Sequence, residues 1–341
     1  MDESLKQESE KLARSWMQHP ADWLRDYLVA GVEDPRLNLQ SIFSRHFLVR
    51  SLTGGGFEDL MEAECRFSAV MNWLVGLVGR VGDTEELGTV LYALRRGADN
   101  AEGIELPPFV VQTFAALPAA VNGLHIPNYI ERFLAENEST PSGTVHSSLD
   151  TFQELWRATL SNLEPRPATL SVLEPACGSA NDYRFLRSYG LLSFLDYTGF
   201  DLCAKNVANA RILFPGAHFD VGNVFQVNAP DRGFDLCFVH DLFEHFSLAA
   251  METSVREVCR VTRSELCVGF FQMDEIPEHK VRPVDDYHWN LLSLARMREL
   301  FAAQGFEAQA IHIGEFLRRQ VGCDQVHNPN AYTFLLRRSA P

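Results

Sequence analysis

The chain has 341 residues, 46% of them apolar and 22% charged, with a formal charge of −15. That is more than one compact core usually holds, in a composition ordinary for a soluble globular protein, so two domains are expected. The acidic balance, with Lys and Arg scattered or paired with acids, disfavours a nucleic-acid partner, because a phosphate backbone needs a local basic patch.

Seven cysteines are present. None forms a C-x-x-C pair and several lie in apolar runs, which predicts reduced, buried thiols in a cytoplasmic setting and argues against a disulfide frame or structural zinc. The N-terminus, MDESLKQESEKLARSW, is polar and mixed in charge, unlike a signal or transit peptide. The longest apolar stretches, FSAVMNWLVGLVGRVG and PPFVVQTFAALPAAVNGL, are interrupted by Arg, Asn, Gln or Pro. They read as buried helices, and no membrane partner is expected.

The pattern is helical up to about residue 145. Trp16, Trp23, Leu24, Tyr27 and Leu28 predict an apolar stripe on one helix face. Phe57 to Val81, Glu85 to Arg96, a segment opened by Pro107-Pro108, and Tyr129 to Leu134 continue it. Asn137 to Ser148, small and polar, reads as a linker. The expected organisation is a helical N-terminal domain over 1–145, serving as an acceptor lid or a homodimer interface, and a second domain over 146–341.

From Leu149 the rhythm becomes strand and helix. Strands are predicted at Leu170–Leu173, Tyr197–Phe200, Ala217–Val221, Phe234–Val239, Glu265–Phe271, Glu307–Ile313 and Ala331–Leu336. Helices are predicted at Leu149–Leu163, Tyr183–Tyr189, Ala204–Leu213, Leu248–Val261 and Leu292–Ala303. The fold class is α/β: a Rossmann-like, mostly parallel seven-stranded sheet with an antiparallel C-terminal strand. Gly314 to Asn330 reads as a non-helical run closing a hairpin.

SVLEPACGSANDYRFL, Ser171 to Leu186, ends an apolar run at Glu174 and follows it with Ala176, Cys177, Gly178, Ser179 and Ala180. Small residues in the turn after the first strand let a ligand lie on the backbone. A dinucleotide fingerprint would need G-x-G-x-x-G, and this turn has one glycine. The competing reading is an ordinary tight turn.

The segment resembles the E/D-x-G-x-G-x-G pattern of class I S-adenosylmethionine-dependent methyltransferases, with Glu174, Ala176, Gly178 and Ala180 on the four patterned positions. The likeness, to small-molecule enzymes of the ubiquinone, type 11–12-like branch, covers about residues 150–338; residues 1–145 match no named family. It implies S-adenosylmethionine as cofactor and a small-molecule acceptor methylated at oxygen or nitrogen. It also implies cofactor contacts from Glu174, Ala176, Cys177, Gly178 and Ala180, and from Asp201 and Leu202 in YTGFDLC. Further contacts are implied from Asn223 and Val224 in FDVGNVF and from His240 in GFDLCFVHDLFEHF. Asp201 is placed to take two ribose hydroxyls, or instead to cap the following helix. Asn223 stands where an acid often pairs with the adenine amine. The two alanines and Asn223 also suit a non-catalytic, cofactor-binding regulatory or partner subunit.

His240, His245 and His288 are the candidate bases, because a hydroxyl or protonated amine must lose a proton on methylation. No metal is assigned, although Asp241, Glu244 and His245 share the spacing of a metal-associated run in ubiquinone-type O-methyltransferases. LEPACGSAN is also similar to the D-P-A-C-G-S-G of N6-adenine DNA methyltransferases. Those need N/D-P-P-Y/F after the fourth strand, where this chain has VHDLFEH; NPNAY, Asn328 to Tyr332, lies near the C-terminus.

Overall fold

A computed structural model of the chain describes residues 2–27, 38–81, 89, 93, 100–101, 103–116, 146–164, 166–326 and 328–339. Apart from 89 and 93, both helical, the predicted segment Glu85–Arg96 lies outside them, as do Tyr129–Leu134 and residues 137–145 of the expected linker.

Seven strands form the central sheet: β1 (Leu170–Pro175), β2 (Leu195–Asp201), β3 (His218–Val221), β4 (Phe234–His240), β5 (Thr262–Phe270), β6 (Phe306–His312) and β7 (Tyr332–Arg338). Their order is β6-β7-β5-β4-β1-β2-β3. All pairings from β3 across to β5 are parallel, and β7 runs antiparallel to both β5 and β6. β4 shows why its sequence reads as a strand covered on both faces: Leu236, Cys237, Phe238 and Val239 are all buried. The strand order reverses between β1 and β4, and open α/β sheets bind ligands in the crevice at that point.

The helices are α1 (Glu3–Met17), α2 (Ala21–Asp26), α3 (Leu39–Thr53), α4 (Glu58–Val81), α5 (Pro108–Ala116), α6 (His146–Ser161), α7 (Asn181–Ser188), α8 (Ala204–Leu213), α9 (Leu248–Val261) and α10 (Leu294–Ala303). The stripe expected on one helix from Trp16 is divided between α1 and α2, because Pro20 opens the second helix and ends the first; Leu28, its last member, lies outside the described residues. Two further differences are small. Asn100–Ala101 and Ile104–Glu105 pair as a short antiparallel ribbon. The run expected to be non-helical after Ile313 carries helical turns over Ile313–Phe316 and Leu317–Val321.

The N-terminal helices pack directly on the sheet. One buried cluster joins Ile42 and Phe43 of α3, Phe67 of α4, Phe152 and Trp156 of α6, and Phe238 of β4. Asn38 caps α3, its side-chain oxygen accepting from Gln40 N at 2.9 Å, and Gly54 ends the helix at φ 77°. The Gln40 amide then donates to the carbonyls of Phe270 (2.8 Å) and Tyr332 (3.2 Å), tying α3 to the ends of β5 and β7. The approach needs Gly269: a Cβ there would stand 3.0 Å from His240 and 3.2 Å from Gln40.

Candidate functional site

A cavity of about 1000 Å³ opens over the carboxyl ends of β1, β2 and β4. Its floor is the turn between β1 and α7. Ala176, Gly178 and Ala180 all take left-handed backbone, at φ 58°, 54° and 68°. Only glycine does this freely, so the two alanines hold strained conformations that keep the turn flat. A Cβ on Gly178 would meet no atom within 4 Å, so the space beside the turn is open where Gly178 borders the cavity.

Asp201, at the end of β2, holds this turn in place. Its Oδ2 accepts from Gly178 N at 3.0 Å; its Oδ1 accepts from Cys203 N at 2.8 Å and from the Asn206 amide at 3.1 Å. Burial raises its pKa, against the pull of these donors. Three of roughly four acceptor sites are filled, which leaves capacity for a further donor. Asp201 and Leu202 both line the cavity.

Glu174 is buried at the tip of β1 and accepts the Tyr197 hydroxyl. Burial, then the charge of Asp182, hold its pKa well above the ordinary carboxylate range. Asn223 and Val224 line the opposite wall. The amide oxygen of Asn223 accepts from Phe225 N at 2.9 Å, so it shapes its own turn, a commitment the sequence does not reveal.

His240 is fixed from both sides. Its Nδ1 lies 3.1 Å from Asp182 and its Nε2 2.5 Å from the Ser44 hydroxyl. The Ser44 hydroxyl also lies 3.1 Å from Gln40 O and 3.6 Å from Cys267 Sγ. The Asp182 carboxylate only accepts, so Nδ1 carries a proton, while Nε2 can either give a proton to Ser44 or take one from it. Burial opposes the charge, but Asp182 outweighs it and raises the His240 pKa; Asp182 in turn is lowered by His240 despite its own burial. His240 borders the cavity with its ring fixed by Asp182, a placement that suits the base expected of it and a positioning role alike.

His245 is held in one tautomer. Its Nδ1 lies 3.2 Å from the carbonyl oxygen of His288, which only accepts, so Nδ1 carries a proton. Burial lowers its pKa, so the ring is neutral and Nε2 keeps its lone pair. His245 lines the cavity. His288 does not, although Tyr287 and Trp289 on either side do; its contribution is the backbone carbonyl, because neighbouring side chains in this extended segment point opposite ways.

Glu244 lies under the same turn, fully buried. Its Oε1 accepts from the backbone of Phe271 (2.8 Å) and Gln272 (3.3 Å), while Oε2 has no hydrogen-bond partner. Burial and then Asp241 push its pKa up to about 8. Among the described residues no three His, Cys, Asp or Glu side chains gather to hold a metal ion, Asp241, Glu244 and His245 included.

Parts of the wall are not apparent in the sequence. Asn328, Pro329, Asn330 and Ala331 line the cavity, held by the Asn328 amide donating to Phe271 O at 2.6 Å. Trp16, His19, Trp23 and Tyr27 from α1 and α2 close the far side. The α1 helix spans the mouth between two anchors. Glu8 accepts from Ser247 N (2.7 Å) and the Ser247 hydroxyl (2.5 Å) at the start of α9. Lys205 at the start of α8 donates to Met17 O (2.6 Å) and His19 O (2.9 Å).

The strand order, the antiparallel last strand and the bare turn after β1 define a Rossmann-like methyltransferase fold. Residues 173–265, from the end of β1 into β5, match the family model described as a methyltransferase domain. That match, within residues 173–265, agrees with the likeness to class I S-adenosylmethionine-dependent methyltransferases of the type 11 branch carried by the motifs after β1, β2 and β4. No curated protein matches the sequence. Similar solved structures include three methyltransferases. The magnesium protoporphyrin IX methyltransferase of Synechocystis PCC 6803, with bound S-adenosylmethionine, is 14% identical over 56% of this chain and 79% of its own, with a TM-score of 0.37. The Burkholderia thailandensis 1,6-didemethyltoxoflavin-N1-methyltransferase, with bound 1,6-didemethyltoxoflavin and S-adenosylhomocysteine, is 13% identical over 66% and 92%, with a TM-score of 0.39. An S-adenosylmethionine-dependent methyltransferase from Mesorhizobium loti is 14% identical over 53% and 96%, with a TM-score of 0.39.

Proposed function

We propose that the protein transfers a methyl group from S-adenosylmethionine to an oxygen or nitrogen of a small molecule in the cytoplasm. The observation that carries the reading is the bare left-handed turn at Ala176–Ala180, facing a cavity lined by Glu174, Asp182, Asp201 and Asp241. The described lining residues include no Lys or Arg. That charge pattern suits a ligand carrying a sulfonium and an ammonium group, and it repels the pyrophosphate of a dinucleotide.

The residues present fit the cofactor. The open space beside Gly178 takes its methionine part. Glu174 regains its charge beside a cation. Asp201 has acceptor capacity left for a ribose hydroxyl, and Leu202 and Val224 offer apolar surface to the base. S-adenosylmethionine supplies a methyl carbon activated by its positive sulfur. With it bound, the acceptor's oxygen or nitrogen would bond to that carbon as the carbon–sulfur bond breaks, and His245 Nε2 would take the acceptor's proton. His240 holds the end of β4 in register with α3 and α7. The N-terminal helices α1 and α2 serve as the cover of the acceptor side, a role supported by the four aromatic rings they contribute to the cavity wall.

Calorimetry with S-adenosylmethionine and S-adenosylhomocysteine tests the reading. Binding that disappears in Asp201→Ala, with turnover on an acceptor panel, supports it. No binding at millimolar cofactor rejects it. Cofactor binding without turnover on any acceptor would favour a regulatory subunit that keeps the fold.

A further inference from the structure

We infer that the methyl acceptor is a planar aromatic compound without negative charge, seated between two aromatic walls; the inference rests on the methyl-transfer reading. The first wall belongs to α1 and α2. Trp23 and Tyr27 have ring centroids 4.7 Å apart, and Trp16 meets Tyr27 edge-on at 5.9 Å. The second wall follows β5. Phe271 and Trp289 lie 4.7 Å apart, and Tyr287 stands edge-on to His245 at 5.8 Å. All six residues border the one cavity, and α1, which carries Trp16, also packs against the Tyr287–His288 segment.

Trp23 also stacks on His19, with centroids 4.1 Å apart, yet part of the ring surface on both walls stays open. Trp23, Tyr27 and Trp289 keep 41%, 46% and 39% of their surface open to solvent. Large apolar rings grouped on both sides of one cavity form a patch of the kind that marks a binding site, unlike single exposed residues. An aromatic ligand gains area burial there and an oriented ring–ring term of about 1 kcal/mol per pair. A saturated ring of similar size gains only the area.

Charge narrows the class further. A carboxylate or phosphate on the acceptor would face Asp241 with no Lys or Arg among the described lining residues, and any charge on His240 is already paired with Asp182. The second wall also surrounds the His245 base: Phe271, Tyr287 and Trp289 lie 5.3, 5.8 and 5.6 Å from its ring. An acceptor stacked there brings a ring hydroxyl or amine to the group that takes its proton.

The test uses the full chain and three probes matched in size: 2-naphthol, 6-hydroxy-2-naphthoate and trans-2-decalol. Their dissociation constants are measured by calorimetry with and without saturating S-adenosylhomocysteine. The expected result is 2-naphthol binding at least about tenfold tighter than either other probe. Trp289→Ala and Trp23→Ala each weaken 2-naphthol about tenfold and leave S-adenosylhomocysteine affinity within about twofold. Equal binding of the naphthoate or the decalol overturns the inference. So does the absence of 2-naphthol binding, or 2-naphthol affinity unchanged in both variants. Failure of S-adenosylhomocysteine to bind, with the 2-naphthol preference intact, overturns the methyl-transfer reading instead.

Discussion

The Nδ1 of His245 lies 3.2 Å from the carbonyl oxygen of His288, and that single contact assigns the imidazole's proton. Because the acceptor is a backbone carbonyl, the ring must donate from Nδ1, and burial keeps it from taking a second proton. A basic nitrogen is thereby available in a cavity whose other central histidine, His240, is paired with Asp182. His245→Gln should lower kcat by at least about a hundredfold on any accepted substrate, the usual scale for losing a general base. Its S-adenosylhomocysteine affinity should stay within about threefold. The base works unprotonated and its pKa is lowered, so kcat/KM should climb with pH and level off from about 6.5, the ordinary histidine value. A wild-type acid limb centred clearly above that point would assign the titration to another group.

Ala176 occupies left-handed backbone at φ 58° with its side chain only half-buried. An L-residue there costs about 1–2 kcal/mol, partly offset by the lower entropy of alanine in the unfolded chain. Ala176→Gly should therefore stabilise the protein by about 0.5–1 kcal/mol in urea unfolding, without loss of cofactor affinity. Destabilisation would mean that the methyl makes a packing contact outweighing the backbone strain.

Glu244 is the buried group with the clearest pH signature. Its folded pKa, pushed up to about 8, stands above its ordinary value of 4.5, so the folded state binds the extra proton. The associated stability is fully present below about pH 4.5 and is lost as pH rises through 8, with a slope of at most about 1.4 kcal/mol per unit. Glu244→Gln keeps an oxygen for Phe271 N and Gln272 N and removes the titration. The difference in unfolding free energy between variant and wild type should grow in the variant's favour from pH 5 to pH 9. A difference that does not change over that range would show that Glu244 stays ionised.

Much of this site can be read from the sequence, for a physical reason. Parallel strands covered on both faces are near-continuous apolar runs, and a cluster of small residues straight after β1 marks backbone that something approaches closely. The sheet, the turn and the position of Asp201 are legible on that basis. Hydrogen-bond commitment is not. Asp182, Ser44 and His240 lie far apart in sequence, and nothing local says that the three meet. His288 matters through its carbonyl, which composition cannot reveal. The aromatic wall of α1 and α2 is equally hidden, since Trp16, Trp23 and Tyr27 fit a helical stripe until Pro20 turns the chain and faces them across the cavity.

The pair Glu8 and Ser247 gives the last prediction, on how ligands enter. The carboxylate takes both the backbone N–H and the hydroxyl of Ser247, while Lys205 holds the other end of α1 through the carbonyls of Met17 and His19. α1 also buries Leu5 and Leu12 in the core beneath it, so lifting the helix for a large ligand costs these contacts plus the charge-assisted bonds. Glu8→Ala removes the first anchor without touching any residue that lines the cavity. S-adenosylhomocysteine dissociation, followed by stopped-flow fluorescence, should quicken about three- to tenfold, and proteolysis at Gln18–Pro20 should accelerate in parallel. Lys205→Ala should act in the same direction from the opposite end. The thermal midpoint of the sheet should move little, because both anchors lie outside the buried clusters of the sheet. Unchanged dissociation in both variants would leave α1 as a fixed wall and place the entrance elsewhere on the cavity.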